Sequence, residues 1–231
     1  MTAGSMTGSG PQRVRHFPPN EGGRDFVVGD IHGEFSRVQE ALDALRFDPQ
    51  VDRLFCTGDL IDRGPCSSAV LEWLNRPWFH SVRGNHEDML LSAGGDTTRL
   101  AWWLRCNGGE WWLAVDEQQR RACLAAFEAL PLALDIDVGR GRVGILHADA
   151  PPWLDWAGLC GALTAGDRDL QQYVLWERRR ISFMDRQTVA GIIKIYCGHT
   201  PLARPRLLGN VHFIDTGICY GGEVMILPLA P

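Results

Sequence analysis

An α/β fold is what this sequence predicts, and three observations carry the prediction. Short apolar runs at residues 26–28, 54–56 and 79–82 are each followed by a segment with helical periodicity. Each run hands Asp, Asn or His residues to its C-terminal end, where open α/β sheets place ligand sites because strand ends and helix starts leave backbone groups free. The chain has 231 residues, 45% of them hydrophobic and 22% charged, enough to bury the full core of one domain.

In chain order, residues 1 to about 24 are rich in Gly, Ser and Pro without apolar periodicity. They read as a flexible leader ahead of one domain over 25–231. Residues 26–28 form a strand ending at Gly29-Asp30. Ser36 and Gln39 make a capping-box pattern ahead of Val38, Leu42 and Leu45 at helical spacing. The plan recurs: 54–56 leads into Gly58-Asp59 and a helix over 69–74, and 79–82 leads into Gly84-Asn85-His86 and another helix. Residues 102–127 read as mostly helical, with Trp102-Trp103 and Trp111-Trp112 flanking Asn107-Gly108-Gly109. Strands are expected at 132–138, 143–146 (ending at His147), 192–197 (ending at Gly198-His199), 211–214 and 224–227. Helices are expected around 170–176 and 187–191.

Charge and cysteine usage narrow the function classes. A net charge of −5 gives no basic footprint for extended nucleic acid. No apolar run is long enough to cross a bilayer, so no membrane partner is expected. Seven scattered cysteines without a C-x-x-C pair point to a reducing, cytoplasmic setting. The sequence does not specify an oligomeric state.

The polar residues at the strand ends carry the chemistry: Asp30 and His32, Asp59 and Asp62, Asn85 and His86, His147, His199. Carboxylates mixed with imidazoles suit Mn, Fe or Zn, whereas Mg or Ca would be held by oxygens alone. His16, His80 and His212 stand outside these blocks and read as structural or surface residues. Arg179 and Arg180 read as solvated, Cys197 as buried strand, the paired tryptophans as packing, and Asp149 and Asp215 as supports around the site.

The blocks Gly29-Asp30-Ile31-His32-Gly33, Gly58-Asp59-Leu60-Ile61-Asp62-Arg63-Gly64 and Arg83-Gly84-Asn85-His86-Glu87 resemble the signatures of the phosphoprotein phosphatase family of calcineurin-like metallophosphoesterases. The likeness is greatest to its phage and bacterial serine/threonine branch. It extends through His147-Ala148-Asp149, Trp176-Glu177-Arg178, Gly198-His199-Thr200-Pro201 and Asp215-Thr216-Gly217, about residues 26 to 228.

The resemblance implies mixed β-sheets sandwiched by helices, with a dinuclear metal site at strand C-terminal ends. It implies that Asp30, His32 and Asp59 hold one divalent ion and that Asp59, Asn85, His147 and His199 hold the other. Mn is the favoured ion, with Fe or Zn as alternatives. It also implies in-line attack on phosphorus by a metal-bridging hydroxide, His86 as general acid held by Asp62, Arg63 and Arg178 as phosphate clamps, and Arg83 and Glu87 as supports. Two dications less two carboxylates and a hydroxide leave a site that wants an anion.

Phosphoserine and phosphothreonine proteins or peptides are the implied substrates, with phosphotyrosine as an addition. The enzymatic rival is a diadenosine tetraphosphatase-like nucleotide hydrolase. Such proteins typically lack the Asp62 equivalent and read G-N-H-D where this chain has Asn85-His86-Glu87. A non-catalytic scaffold is the rival from another class, and the full set of matched residues argues against it.

Overall fold

The computed structural model describes residues 12–229. Two sheets lie face to face with helices outside both. The first half of the chain alternates strands and helices: β2 (Asp25–Val28), α1 (Phe35–Ala44), β3 (Arg53–Cys56), α2 (Val70–Leu74), β4 (Phe79–Ser81) and α3 (Asn85–Ser92). β2, β3 and β4 run parallel, and β10 (Ile226–Pro228) pairs antiparallel with β2 to complete a four-stranded sheet. After α4 (Thr97–Cys106), a 3₁₀ turn (Glu110–Ala114) and α5 (Glu117–Ala129), the chain enters the second sheet.

That sheet has the order β1 (Val14–Phe17), β5 (Ala133–Asp137), β6 (Arg142–Ile145), β7 (Lys194–Cys197), β9 (Val211–Phe213), β8 (Arg206–Leu208). Its β5–β6 and β8–β9 pairs are antiparallel and the other three are parallel. Between β6 and β7 lie α6 (Trp156–Thr164), α7 (Arg168–Trp176) and α8 (Arg179–Phe183). Mixed sheets between helices are therefore what the molecule has.

The pleat explains why the strands are continuously apolar rather than alternating. Phe26, Val28, Leu54 and Cys56 pack outward into the helices of the first half, while Val27 and Phe55 point inward to meet Leu134, Ile136, Val143, Ile145 and Tyr196 of the second sheet. Ile195 and Cys197 turn the other way, into a core shared with Trp156, Leu159 and Val174. The central strands of each sheet are buried on both faces.

Four expectations are corrected. The stretch read as a leader contains β1, whose Val14 and Phe17 are buried and which pairs in parallel with β5; residues 1–11 of that stretch lie outside the described residues. Ser36 is not a cap: α1 starts at Phe35, Glu34 caps it without a side-chain bond, and burial of Phe35, Val38 and Leu42 holds it. No helix forms over 187–191. There Arg180 Nη1 donates to the Gln187 carbonyl at 2.5 Å, and Asn210 bonds both the N–H and the carbonyl of Val189 at 2.9 Å, so backbone partners come from outside the segment. Arg180 itself is buried against Asp149, not solvated.

Candidate metal centre and acid dyad

The loops after β2, β3 and β4 emerge side by side because those strands are parallel and in register. The parallel pair β6 and β7 ends at the same edge of the sandwich and adds His147 and His199. All eight strand-end residues, Asp30, His32, Asp59, Asp62, Asn85, His86, His147 and His199, are buried together there.

The loops are under tension. Among the described residues seven non-glycines have positive φ, and five of them are His32 (46°), Asp59 (47°), Asp62 (74°), Arg63 (68°) and His199 (65°). A left-handed conformation costs a non-glycine on the order of 1 kcal/mol or more and persists only where surroundings enforce it. Here they do. The Asp59 carbonyl accepts from the N–H groups of Ile31 (3.1 Å) and His32 (2.8 Å). The Glu87 carboxylate accepts from those of Gly84 (2.8 Å), Leu60 (2.8 Å) and Asp59 (3.1 Å). At Gly84 a side chain would collide with Asp59, and at Gly198 with the Asp30 carboxylate and Thr57 hydroxyl.

Three histidines share one arrangement. His32 Nδ1 lies 2.8 Å from the Ile61 carbonyl, His147 Nδ1 2.7 Å from that of Thr57, and His199 Nε2 3.2 Å from that of Trp176. A carbonyl can only accept, so each of these nitrogens carries the hydrogen and the other presents a lone pair. Burial lowers all three pKa values, His32 and His199 to about 3, so the rings are neutral. The bare nitrogens of His147 and His199 lie 2.7 and 2.8 Å from Asn85 Oδ1, itself an acceptor.

The carboxylates reinforce the need for a cation. Asp59 Oδ1 is 3.5 Å from His147 Nε2 and Oδ2 is 3.6 Å from His32 Nε2. Asp30 accepts from the Thr57 hydroxyl (2.8 Å) and the His199 N–H (2.7 Å). Burial, with Asp215 and Asp59 nearby, still pushes its carboxyl well above the usual range. Lone pairs facing lone pairs beside close buried carboxylates fit divalent cations, and the N/O donor set suits Mn, Fe or Zn. Ligand atoms of Asp59, His147 and His199, and separately of His32, Asp59 and His86, lie within 4.8 Å of one another.

His86 is built differently. Its Nδ1 lies 2.6 Å from Asp62 Oδ2 rather than from a carbonyl. Burial alone would lower its pKa, but Asp59 and Asp62 outweigh that and the net shift is upward. Burial also pushes the Asp62 carboxyl up, against the pull of His86. Yet its two oxygens face three N–H donors, since Trp103 Nε1 lies 2.7 Å from Oδ2 and Trp111 Nε1 2.8 Å from Oδ1. Three donors on its two oxygens favour the carboxylate form of Asp62, and that charge together with Asp59 favours the protonated ring. A carboxylate partner and an upward shift, against carbonyl partners and downward shifts, separate His86 from the other three histidines despite its proximity to His32 and Asp59.

The remaining expected residues are placed as follows. Arg63 is exposed at the rim, and its Nη1 lies 2.6 Å from His32 Nε2, on the lone pair that His32 would offer an ion. Arg178, also exposed, donates to the His199 carbonyl at 3.1 Å. Arg83 ties the start of α3 to α5 through the carbonyls of Phe127 (3.1 Å) and Glu128 (2.7 Å). Asp215 is close enough to raise Asp30, whereas Asp149 belongs to the Arg180 ion pair. The sequence reading missed Trp103 and Trp111 as partners of Asp62. A buried aspartate beside a histidine needs further donors, and the only signal was two indoles flanking a Gly-Gly step.

Residues 26–223 match the family described as calcineurin-like phosphoesterase. The chain is 38% identical over 205 residues to serine/threonine-protein phosphatase 1 of Salmonella typhimurium, covering 87% of this chain and 89% of that protein. It is 36% identical over 205 residues to serine/threonine-protein phosphatase 2 of Escherichia coli, covering 86% and 89%. A shorter likeness, 40% over 76 residues, links 32% of this chain to 27% of a symmetrical bis(5'-nucleosyl)-tetraphosphatase of Serratia proteamaculans. A cold-active protein-tyrosine phosphatase of a psychrophilic Shewanella species shares the fold with a TM-score of 0.63 at 17% identity, over 94% of this chain and 77% of that one. With the strand-end histidines and carboxylates gathered as described, the matched span covering most of the chain settles its kinship: the chain belongs to the calcineurin-like phosphoesterase family.

Proposed function

We propose that this chain is a two-metal phosphomonoesterase that removes phosphate from phosphoserine and phosphothreonine in proteins or peptides, with phosphotyrosine as a secondary substrate. One observation carries the reading: three histidines kept neutral by burial each give one ring N–H to a backbone carbonyl, and the fourth is paired instead with a carboxylate that favours its protonated form. The first set offers lone pairs to ions; the fourth offers a proton. We assign Asp30, His32 and Asp59 to one ion and Asp59, Asn85, His147 and His199 to the other, with Mn preferred over Fe or Zn. Two such ions would supply charge neutralisation at phosphorus and a lowered pKa for bound water.

The chain's own residues do the rest. His86 Nε2 faces Asp59 across 3.9 Å, while Asp62 holds the opposite edge of the ring. As the oxygen of the attacking water bonds to phosphorus, the ester P–O bond breaks and the leaving alkoxide takes the Nε2 proton. A proton from the water restores the imidazolium. Arg63 and Arg178, the exposed guanidinium groups at the rim, grip phosphate oxygens, and Arg63 leaves His32 to do so.

A tetraphosphatase reading is favoured by the short likeness to the symmetrical enzyme and by 29% identity over 229 residues, 87% of this chain, to an asymmetrical bis(5'-nucleosyl)-tetraphosphatase of Geobacillus thermodenitrificans. The Asp62–His86 dyad suits poor alkoxide leaving groups and argues for the monoesterase. The test is to strip the protein of metal, add Mn, and follow turnover of phosphopeptides and diadenosine tetraphosphate. Mn-dependent phosphopeptide turnover that falls roughly 10²–10⁴-fold in His86→Asn is expected. Cleavage of the nucleotide alone would favour the rival, and inactivity on both would favour a scaffold.

A further inference from the structure

We propose that the tryptophan-bearing segment from α4 to the 3₁₀ turn is a brace that orients the acid dyad, with Trp103 and Trp111 as positioning residues. The proposal rests on the phosphomonoesterase reading for its kinetic consequence, but not for its geometry. The object braced is the Asp62-Arg63 turn, two consecutive non-glycines in the left-handed region (φ 74° and 68°). Such a turn does not hold itself.

Three of the contacts that hold it come from one stretch of chain. The Arg63 N–H donates to the Gly108 carbonyl at 3.1 Å. Trp103 donates to one Asp62 oxygen and Trp111 to the other, at 2.7 and 2.8 Å. His86 shares the oxygen taken by Trp103. Three donors on two oxygens fix the plane of the carboxylate, because rotating it would break at least two hydrogen bonds. On the inner side, Ser67 Oγ accepts from the Asp62 N–H at 2.8 Å.

The glycines explain how the segment comes so close. A Cβ at Gly108 (φ +80°) would meet the Arg63 nitrogen at 2.5 Å, and one at Gly109 would meet the Trp103 ring at 2.7 Å. Trp103, Trp111 and Trp112 then pack edge to face, with ring centroids 5.3 to 6.5 Å apart. Indole is apt for this work. Its N–H donates and never accepts, so the two tryptophans favour Asp62 as a carboxylate, and neither takes a proton from the dyad.

Two readouts test the brace. In ¹H–¹⁵N spectra of the nine tryptophan indoles, with Trp103→Phe and Trp111→Phe providing assignments, Asp62→Asn should move the Trp103 and Trp111 resonances and leave more distant indoles in place. If neither moves, the brace is overturned, whatever the enzyme hydrolyses. Kinetically, Trp111→Phe should lower kcat on a phosphoserine peptide roughly tenfold with KM nearly unchanged, but lower it less than about threefold on p-nitrophenyl phosphate, whose leaving group needs little protonation. Equal losses on both substrates, or no loss, would overturn the proposal. Trp103→Phe alters a buried core residue, so its melting temperature is measured alongside, and Trp111→Phe decides the matter if it unfolds. Wild-type protein inert on the phosphopeptide would count against the phosphatase reading alone, leaving the indole spectra to judge the brace.

Discussion

The two halves of the sandwich reach the same site by different means. The four-stranded half supplies Asp30, His32, Asp59, Asp62, Arg63, Asn85 and His86 from three successive loops, and stabilises those loops with the backbone, the Glu87 carboxylate, the Ser67 hydroxyl and the Trp103 and Trp111 indoles. The six-stranded half supplies His147 and His199, and sets the stretch after His147 with a fully buried ion pair, Asp149 to Arg180 at 3.0 Å. Orientation crosses between them: His147 bonds the Thr57 carbonyl and the His199 N–H donates to Asp30. The first half is organised by itself, whereas the second acquires its aim from the first. A complete ligand set therefore exists only when the sheets are docked.

That contrast predicts where damage falls. Asp149→Ala leaves Arg180 buried without its partner, and should cost about 3–5 kcal/mol of stability by denaturant unfolding. Because the first half does not depend on that pair, the indole resonances of Trp103 and Trp111 should stay in place in the folded variant. If they shift with it, the halves are not independent. Gly198→Ala strikes the crossing instead, since its methyl would collide with Asp30 and the Thr57 hydroxyl. We expect Mn affinity, measured by calorimetry, to fall on the order of 10–100-fold, as for loss of outer-shell support. Unchanged affinity would mean that His199 is not aimed through Asp30.

The same contrast describes what the sequence disclosed. In the first half each ligand sits in a contiguous strand, turn and helix unit, so Asp30, His32, Asp59, Asn85 and His86 could be read from local pattern alone. In the second half His147 and His199 were visible as strand-end histidines, but the surroundings were not. α6 carries two glycines and apolar residues on most sides, which hides a helical stripe, and Asp155 as its N-cap (2.7 Å to the Gly158 N–H) was the signal overlooked. β1 exists because β5 offers it an edge and Phe17 finds Phe55 in the other sheet, a fact of tertiary structure with no local trace. Arg180 looked solvated for the same reason: its partner is 31 residues away. The Asp62 indoles, 41 and 49 residues on, were likewise beyond any local pattern.

The smallest predicted effect probes the seam itself. His80 lies between Phe17 of one sheet and Phe55 of the other, with ring centroids at 4.6 and 5.3 Å. Burial, helped by Arg15 and Arg53 and opposed by Asp25, lowers its pKa to about 4. A histidine lowered on folding is neutral in the native state while the unfolded chain takes up a proton below about pH 6.5, so the unfolded state binds more protons between those values. Its contribution is whole above pH 6.5 and is lost as the pH falls toward 4. His80→Phe removes this proton uptake while keeping an aromatic ring at the seam, and every other histidine is common to both proteins and cancels in the difference. Relative to its value at pH 7.5, the stability of the variant minus that of wild type should rise by about 1–2 kcal/mol at pH 5. A difference that stays flat across that range would mean that His80 meets water, and that the sheets are not closed over it where Phe17 and Phe55 meet.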